Sequence, residues 1–303
     1  MSTTMVTGGL GFVGRHLVSM LVADGSLVVS YNRDYYTSEE AAVTAVQGEL
    51  FDIPRLVRAL REQQVDQIIH TAGMSDPLAS IEVPVTTFAA NVQGTLSLLE
   101  AARMAGVGRV VNFSSECAYG HQDGELIRED ARLRPLTPYG VTKVATELLG
   151  DVYTRLYGVE VISLRIGEIY GSRSTMPGYL IDLVSTVARG RPYRLAEGGD
   201  HRFNWVHVED VCRAASAAAT AARREQGVYN ISGGRQATLS EAAEIVRGIF
   251  PEADIEIGGG PIQDLDRQGP WDLSAAARDL AYCPSWRLED GIAQLAADIS
   301  EEG

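Results

Sequence analysis

Thr7-Gly8-Gly9-Leu10-Gly11-Phe12-Val13-Gly14 decides how this chain folds. Met5-Val6-Thr7 ends a short apolar run that reads as a first β-strand, and residues 12–23 follow as an amphipathic first helix. Between them the glycines fall at 8, 11 and 14. A turn this tight needs a residue that tolerates positive φ. A pyrophosphate can approach the main chain only where no Cβ intervenes, and the last glycine lets helix and strand pack closely. The opening turn of the helix adds unpaired N–H groups and a positive dipole end. A turn of small residues is the alternative, but the position directly after an N-terminal strand favours dinucleotide binding, with Gly8, Gly11, Phe12, Val13 and Gly14 as contacts.

Working outward, short apolar runs alternate with helical patterns. Strands are expected at 26–31, 45–48, 67–70, 109–114 and 161–165, and long helices at 85–105 and 138–157. The Val/Ile-rich runs lack polar alternation, as in parallel strands buried on both faces. After Gly171 the texture changes: Met176-Pro177-Gly178, Gly190-Arg191-Pro192 and Gly198-Gly199 interrupt the alternation. A sheet-like unit then returns at 204–208, an alanine-rich helix to Arg223, and Val228-Tyr229-Asn230-Ile231. The expected class is α/β, a Rossmann-type doubly wound parallel sheet with a small C-terminal substrate-binding cap. The dinucleotide domain would span 1–165 and take back roughly 204–232. The cap would hold 166–203 and 233–303.

Composition limits the partners. The formal charge of −14 opposes phosphate backbones and anionic lipid, so neither nucleic acid nor a membrane surface is an expected partner. Cys117, Cys212 and Cys283 are scattered, odd in number and without zinc-ligand spacing, so no metal is expected. They fit a reducing compartment, and with no apolar stretch of bilayer length the expectation is a soluble cytoplasmic protein.

Two positions speak to the cofactor and the chemistry. At the end of the second strand, the slot where an acidic side chain would bind the adenosine ribose and repel a 2′-phosphate holds Asn32, followed by Arg33. That pair favours NADP over NAD; the alternative is a solvated Arg33 with Asp34 reaching the ribose. Tyr139 and Lys143 stand four apart on an expected helix and so project from one face. A tyrosine of pKa ~10 is a poor base at neutral pH, and a neighbouring ammonium lowers that value. Ser115, at the end of the fifth strand, would hydrogen-bond the substrate oxygen that Tyr139 protonates or deprotonates. Ser114 is the alternative, since adjacent strand residues face opposite ways.

With Thr7–Gly14, His70–Ser75, Asn91–Thr95, Ser114–Gly120, Tyr139–Lys143, Val206–Val211 and Tyr229–Gly233 in this order, the chain resembles the extended short-chain dehydrogenase/reductase family, the NAD-dependent epimerase/dehydratase group. The resemblance implies a sheet of about seven strands, an NAD(P) cofactor, and homodimers joined through the two long helices. It places Glu49-Leu50 beside the adenine, Thr71, Ala72, Gly73 and Asn91 along the dinucleotide, and Ser75 near the substrate. It implies a sugar or nucleotide sugar as substrate, and three departures bear on that. Glu168 stands where many relatives carry an asparagine that helps hold a diphosphate. Phe203 takes a phosphate-clamping arginine's slot, with Arg202 one position off, and Asn204 replaces an aspartate. Arg173 remains a possible anion ligand. Sugar dehydratases place a carboxylate two residues before the tyrosine of the 114–120 motif. Here that residue is Cys117, and Glu116 is the candidate substitute. Three readings follow: a nucleotide-sugar epimerase working through a transient ketone, an NAD(P)-dependent dehydrogenase or reductase of a non-nucleotide sugar, sugar acid or hydroxy compound, and a non-catalytic dinucleotide sensor.

Overall fold

The computed structural model describes residues 2–122, 126–174, 177–222, 224–263 and 265–302; Met176 and Arg223, used above to mark the change of texture and a helix end, lie outside them. The central sheet is built from β1 (Thr3–Thr7), β2 (Leu27–Asn32), β3 (Val43–Gln47), β4 (Gln67–His70), β5 (Arg109–Phe113), β6 (Glu160–Ile166) and β7 (Val228–Ile231). Their order across the sheet is β7-β6-β5-β4-β1-β2-β3, and every pairing is parallel. This is a Rossmann-like doubly wound sheet.

The pleat explains why these strands are apolar at consecutive positions. Met5, Val29, Ile68, Val110 and Val161 point to one face, where they pack with Leu56, Leu98 and Tyr153. Those three come from α2 (Ile53–Glu62), α3 (Gly94–Ala105) and α4 (Pro138–Tyr157). Val6, Val28, Ile69, Val111 and Ile162 point to the other face and meet Leu17 and Val211, which lie on α1 (Phe12–Ala23) and on a helix at Val208–Thr220. Helices cover both faces, so water reaches neither and alternation has no role. A third cluster lies in the later part of the chain, where Leu183, Trp205, Leu239, Val246 and Ile292 pack together.

The helix expected as one piece at 85–105 is not uniform. An α-helical turn at Pro84–Phe88 passes through a π-helical turn at Ala89–Gln93 before α3 begins. Asn91 sits in that wide turn, and its side chain is engaged outside the helix. Insertions of this kind recur where a helix must present a residue to a site.

One buried ion pair ties α4 to the sheet. Arg165 of β6 donates to both carboxylate oxygens of Glu147, at 2.9 and 2.7 Å. Both side chains are about 5% exposed. Ser114 also donates to Glu147. The guanidinium stacks over the Tyr119 ring at 4.7 Å and reaches the carbonyl of Glu129. Removing one partner strands the other charge in a dry interior, which costs about 3–5 kcal/mol. Glu147→Ala is expected to lower unfolding free energy by that amount in urea denaturation. A paired Arg165→Met, Glu147→Leu change should recover most of it. A loss under ~1 kcal/mol for the single change would mean that the pair is solvated.

Candidate functional site

The strand order reverses between β1 and β4, and the C-terminal ends of the central strands share one edge: Thr7 is level with Tyr31 and His70, and His70 with Asn112. Loops leaving that edge diverge, one forward over β1–β2 and one back over β4–β5, which opens a crevice at the switch point.

The glycine loop forms one wall. Gly8 has a φ of +74°, and a Cβ there would stand 3.0 Å from the Ala72 backbone. A Cβ on Gly14 would lie 2.0 Å from the Gly8 carbonyl oxygen, so the first turn of α1 touches the loop directly. Gly11 caps α1 without a side-chain hydrogen bond, and no acidic residue occupies the first turn. The N–H groups opening this helix, which starts with Phe12 and Val13, are therefore left for an anion.

At the end of β2, Asn32 is buried and turned inward. Its Oδ1 accepts the Leu10 N–H at 2.9 Å and its Nδ2 donates to Ser30 at 3.0 Å, so the amide braces the glycine loop. Arg33 is 74% exposed and pairs with Asp34. Glu49 is exposed, its carbonyl accepting the Tyr31 hydroxyl at 3.0 Å, and Leu50 lies half-buried against Gly94.

The loop after β4 forms the opposite wall. Thr71 donates to the Thr7 carbonyl at 2.8 Å. His70 is clamped between Thr7 and Thr95, its ring nitrogens 2.7 and 3.0 Å from their hydroxyls. Burial and the Lys143 charge push its pKa down to about 3, so the ring is neutral. Asn91 holds the loop open: Oδ1 accepts the Met74 N–H at 2.8 Å, and Nδ2 donates to the Met74 carbonyl at 2.9 Å and to Thr142 at 3.0 Å. A Cβ on Gly73 would collide with that amide. Ser75 follows on the exposed side of the loop.

The third side is α4. Thr137 caps it by accepting the Gly140 N–H at 3.1 Å, with Pro138 in the first turn. A Cβ on Gly140 would come within 2.4 Å of the Cys117 carbonyl oxygen. That close approach seats Tyr139 against the short turn Glu116–Ala118, which Ser115 caps through the Cys117 N–H at 3.2 Å. Tyr139 is 6% exposed, and its N–H donates to Ser80 at 3.1 Å. Lys143, the only lysine in the chain, donates from Nζ to the Phe113 carbonyl at 2.7 Å. Its ammonium stands 5.2 Å from the centre of the Tyr139 ring.

Burial dominates the electrostatics. It raises the Tyr139 phenol above the usual tyrosine range, helped by Cys117 and Glu116, while the Ser115 hydroxyl pulls the other way. It lowers Lys143 to about 8. Glu116 is held well above the carboxylate range by burial, then by the charges of Glu168 and Asp266. Burial likewise raises Glu168 to about 7. The Cys117 thiol is pushed up, mainly by burial, which removes it as a thiolate nucleophile.

Residues 4–232 match the NAD dependent epimerase/dehydratase family. The chain belongs to that family of enzymes. It is 29% identical to a dTDP-glucose 4,6-dehydratase from an Actinoplanes species, across 97% of this chain and 96% of that one. A UDP-glucose 4-epimerase from Thermus thermophilus, solved with NAD, superimposes with a TM-score of 0.87 at 27% identity, covering 98% of each chain. MoeE5, solved with UDP-glucuronic acid and NAD, gives a TM-score of 0.89 at 28% identity, over 99% of this chain and all of that one. Among the described residues no helix is long and apolar enough to cross a membrane, and no group of three or more His, Cys, Asp or Glu is arranged to hold a metal.

In this family member Lys143 stands over the Tyr139 ring, Ser115 and Glu116 bear on the Tyr139 phenol, and Glu168 bears on Glu116; the glycine loop, Thr71, Ala72, Gly73 and Asn91 lie at the same edge of the sheet. Arg202 does not join them. It lies in a two-residue strand, Arg202–Phe203, with Phe203 buried and Arg202 exposed. Arg173 is exposed, with a φ of +59°. Sequence reading missed Ser80, Thr142 and the segment Asp266–Trp271, whose Gln268 donates to the Glu116 carbonyl at 2.9 Å. Thr142 carried a signal, lying inside the Tyr139–Lys143 motif. Asp266 and Gln268 carried none, being remote in sequence.

A single lysine makes its state directly measurable. An amine-directed reagent should modify Lys143 and the chain's α-amino group alone, with labelling at Lys143 rising through about pH 8 as the buried amine loses its proton. Peptide mapping that shows a midpoint near the ordinary lysine value of ~10.4 would contradict the burial described.

Proposed function

We propose that this protein is an NAD(P)-dependent nucleotide-sugar epimerase working through a transient keto-sugar. The observation that carries the reading is the convergence of Ser115, Tyr139 and Lys143 on the crevice walled by the uncapped α1 terminus. The sheet and its loops would hold the dinucleotide, and residues 166–203 and 233–303 the substrate. The fit to a dinucleotide rests on Gly8 and Gly14, where side chains would fill the cradle, and on the free N–H groups beyond Gly11. Glu49 and Leu50 are the proposed neighbours of the adenine.

A bound nicotinamide would supply the hydride acceptor and donor for the carbon that bears the reacting hydroxyl, so that no net oxidation results. Tyr139 would take the proton from that hydroxyl as the carbon becomes a carbonyl, and would restore it to the oxygen when the alcohol is re-formed. Lys143 lowers the phenol's proton affinity by its charge and is proposed to hold the ribose. Ser115 orients the substrate oxygen. Glu116, kept protonated by burial, is the proposed acid toward a second substrate oxygen. Ser75, Glu168 and Arg173 are proposed substrate contacts.

For the choice of cofactor, Asn32 brings no negative charge to the end of β2 and the exposed Arg33, paired with Asp34, follows it, which supports NADP as acceptable and favoured. A homodimer is the proposed assembly. Val85, Phe88 and Met104 on one long helical stretch, and Leu148, Leu156 and Tyr157 on α4, expose apolar surface between 45% and 82%. The second reading is net oxidation or reduction of a non-nucleotide sugar. It is favoured by Glu168, because a carboxylate beside a diphosphate is repulsive.

Product analysis with UDP- and dTDP-hexoses, alongside absorbance of the reduced nicotinamide, separates these readings. The proposal expects an epimeric product, no net accumulation of reduced cofactor, and tighter binding of NADP than of NAD. Stoichiometric cofactor reduction by a free sugar would replace it with the second reading. Tyr139→Phe should lower kcat by about 10²-fold or more while leaving dinucleotide affinity within a few-fold.

A further inference from the structure

The short turn that brings Ser115 and Glu116 to the Tyr139 phenol is gripped from two sides. Within it, the Tyr119 N–H donates to the Glu116 carbonyl at 2.9 Å, and Ser115 accepts the Cys117 N–H. On one side the Cys117 carbonyl lies against Gly140 of α4. On the other, Gln268 donates from Nε2 to the Glu116 carbonyl at 2.9 Å. The two carbonyls belong to adjacent residues, so a turn released at Glu116 can swing where it meets the neighbour of Tyr139.

The Gln268 amide has one orientation open to it. Trp271 donates from Nε1 to its Oε1 at 3.0 Å. An indole N–H only donates and a carbonyl only accepts, so both contacts require the amide oxygen toward Trp271 and the nitrogen toward Glu116. The side chain is 7% exposed, which leaves water little part in satisfying it. Trp271 is fixed in turn, its ring meeting the Tyr119 ring edge-on with centroids 5.6 Å apart.

The backbone behind this amide is pinned as well. The Arg267 carbonyl accepts the Gln122 N–H at 2.8 Å, and the Gly269 N–H returns to the Gln122 carbonyl at 2.9 Å. Further on, the Pro270 carbonyl accepts the Ile127 N–H at 2.8 Å, and the Asp272 N–H donates to the Ile127 carbonyl at 2.9 Å. Gln236 donates to the Gln268 carbonyl at 2.7 Å. The amide is therefore a rigid arm on an anchored segment.

Closing the turn does not require that arm. A carbonyl oxygen has two lone pairs, and the Tyr119 N–H on one of them already makes the turn. A second donor on the other fixes the tilt of the peptide, and with it the direction in which the flanking side chains project. Resting on the acid–base roles given above to Ser115 and Tyr139, we propose that Gln268 is a positioning residue. Through the Glu116 carbonyl it sets the Ser115 hydroxyl and the Glu116 carboxyl against the Tyr139 phenol, and Trp271 sets the Gln268 amide. A group that must align with the reacting oxygen loses rate when it is displaced, more than it loses substrate affinity.

The test compares Gln268→Met, Gln268→Glu and Trp271→Phe with the wild type on whichever UDP- or dTDP-hexose is turned over. Gln268→Met keeps the length and removes both hydrogen bonds. Its kcat should fall about ten- to a hundredfold, with KM within about twofold of the wild type. Gln268→Glu keeps an acceptor for Trp271 but sets a carboxylate oxygen against the Glu116 carbonyl. It should lose as much at neutral pH, and its kcat relative to the wild type should climb as the pH falls and the new carboxyl regains a proton to donate. The same ratio for Gln268→Met should stay flat. Trp271→Phe frees the amide to rotate and should lose less, a second route to the answer if Gln268→Met does not fold. Unchanged kcat in the folded variants, a loss confined to KM, or a flat pH ratio for Gln268→Glu would overturn the inference. Failure to turn over any nucleotide sugar, with dinucleotide still bound, would instead remove the reading on which it rests. The tether is then decided by the Tyr139 phenolate titration with oxidised cofactor. There the Ser115 hydroxyl opposes the upward push of burial, so Gln268→Met should raise the midpoint, and an unmoved midpoint would overturn the inference.

Discussion

A lysine ammonium buried beneath a tyrosine ring and fastened to the carbonyl at the end of β5 is the constraint around which the site is arranged. Desolvation makes the charge costly, so it persists only where fixed acceptors receive it. One is the Phe113 carbonyl, and Glu147, one turn along α4, supplies compensating negative charge. Arg165 and Ser114 hold that carboxylate in turn. Packing, ion pairing and the proposed acid–base group therefore form one structure. The strand ends fix the lysine, the lysine stands over the phenol's ring, and the glycine at position 140 brings the phenol against Ser115 and Glu116.

The opposite wall of the crevice is organised by a different device. Asn91 stands in a π-helical turn and uses its amide to bind both the 70–75 loop and Thr142 of α4. It joins two walls that the sheet alone leaves independent. Asn32 does the same for the glycine loop from the end of β2. Amide side chains suit this work, since each offers a donor and an acceptor without bringing charge into the dry edge of the sheet.

How much of this could be read from the chain depends on the range of the interactions. Gly8, Gly11 and Gly14 were legible because the turn, the helix start and the close packing are all met within eight residues. Tyr139 and Lys143 were legible because a helix places residues four apart on one face. The π-helical turn was not: its hydrogen-bond shift is settled by what Asn91 binds across space, and apolar periodicity passes through it undisturbed. Nor was the approach of Asp266 and Gln268 to Glu116, since no local pattern marks a contact spanning about 150 residues. Arg202 lay between these cases. Its direction turned on whether residues 202–203 form a strand, and the antiparallel pairing with Ala237–Thr238 decides it, placing Phe203 inside and Arg202 at the surface.

In the protein alone burial keeps the Tyr139 phenol protonated beyond the ordinary tyrosine range, and the positive ring of an oxidised dinucleotide, added to Lys143, is what would make it an effective base. The most direct measurement is the ultraviolet phenolate titration of the protein with and without saturating oxidised cofactor, with Tyr139→Phe subtracted to isolate this one residue. The account predicts that cofactor lowers the Tyr139 pKa from above ~10 toward neutrality. A titration that cofactor leaves unmoved would contradict it.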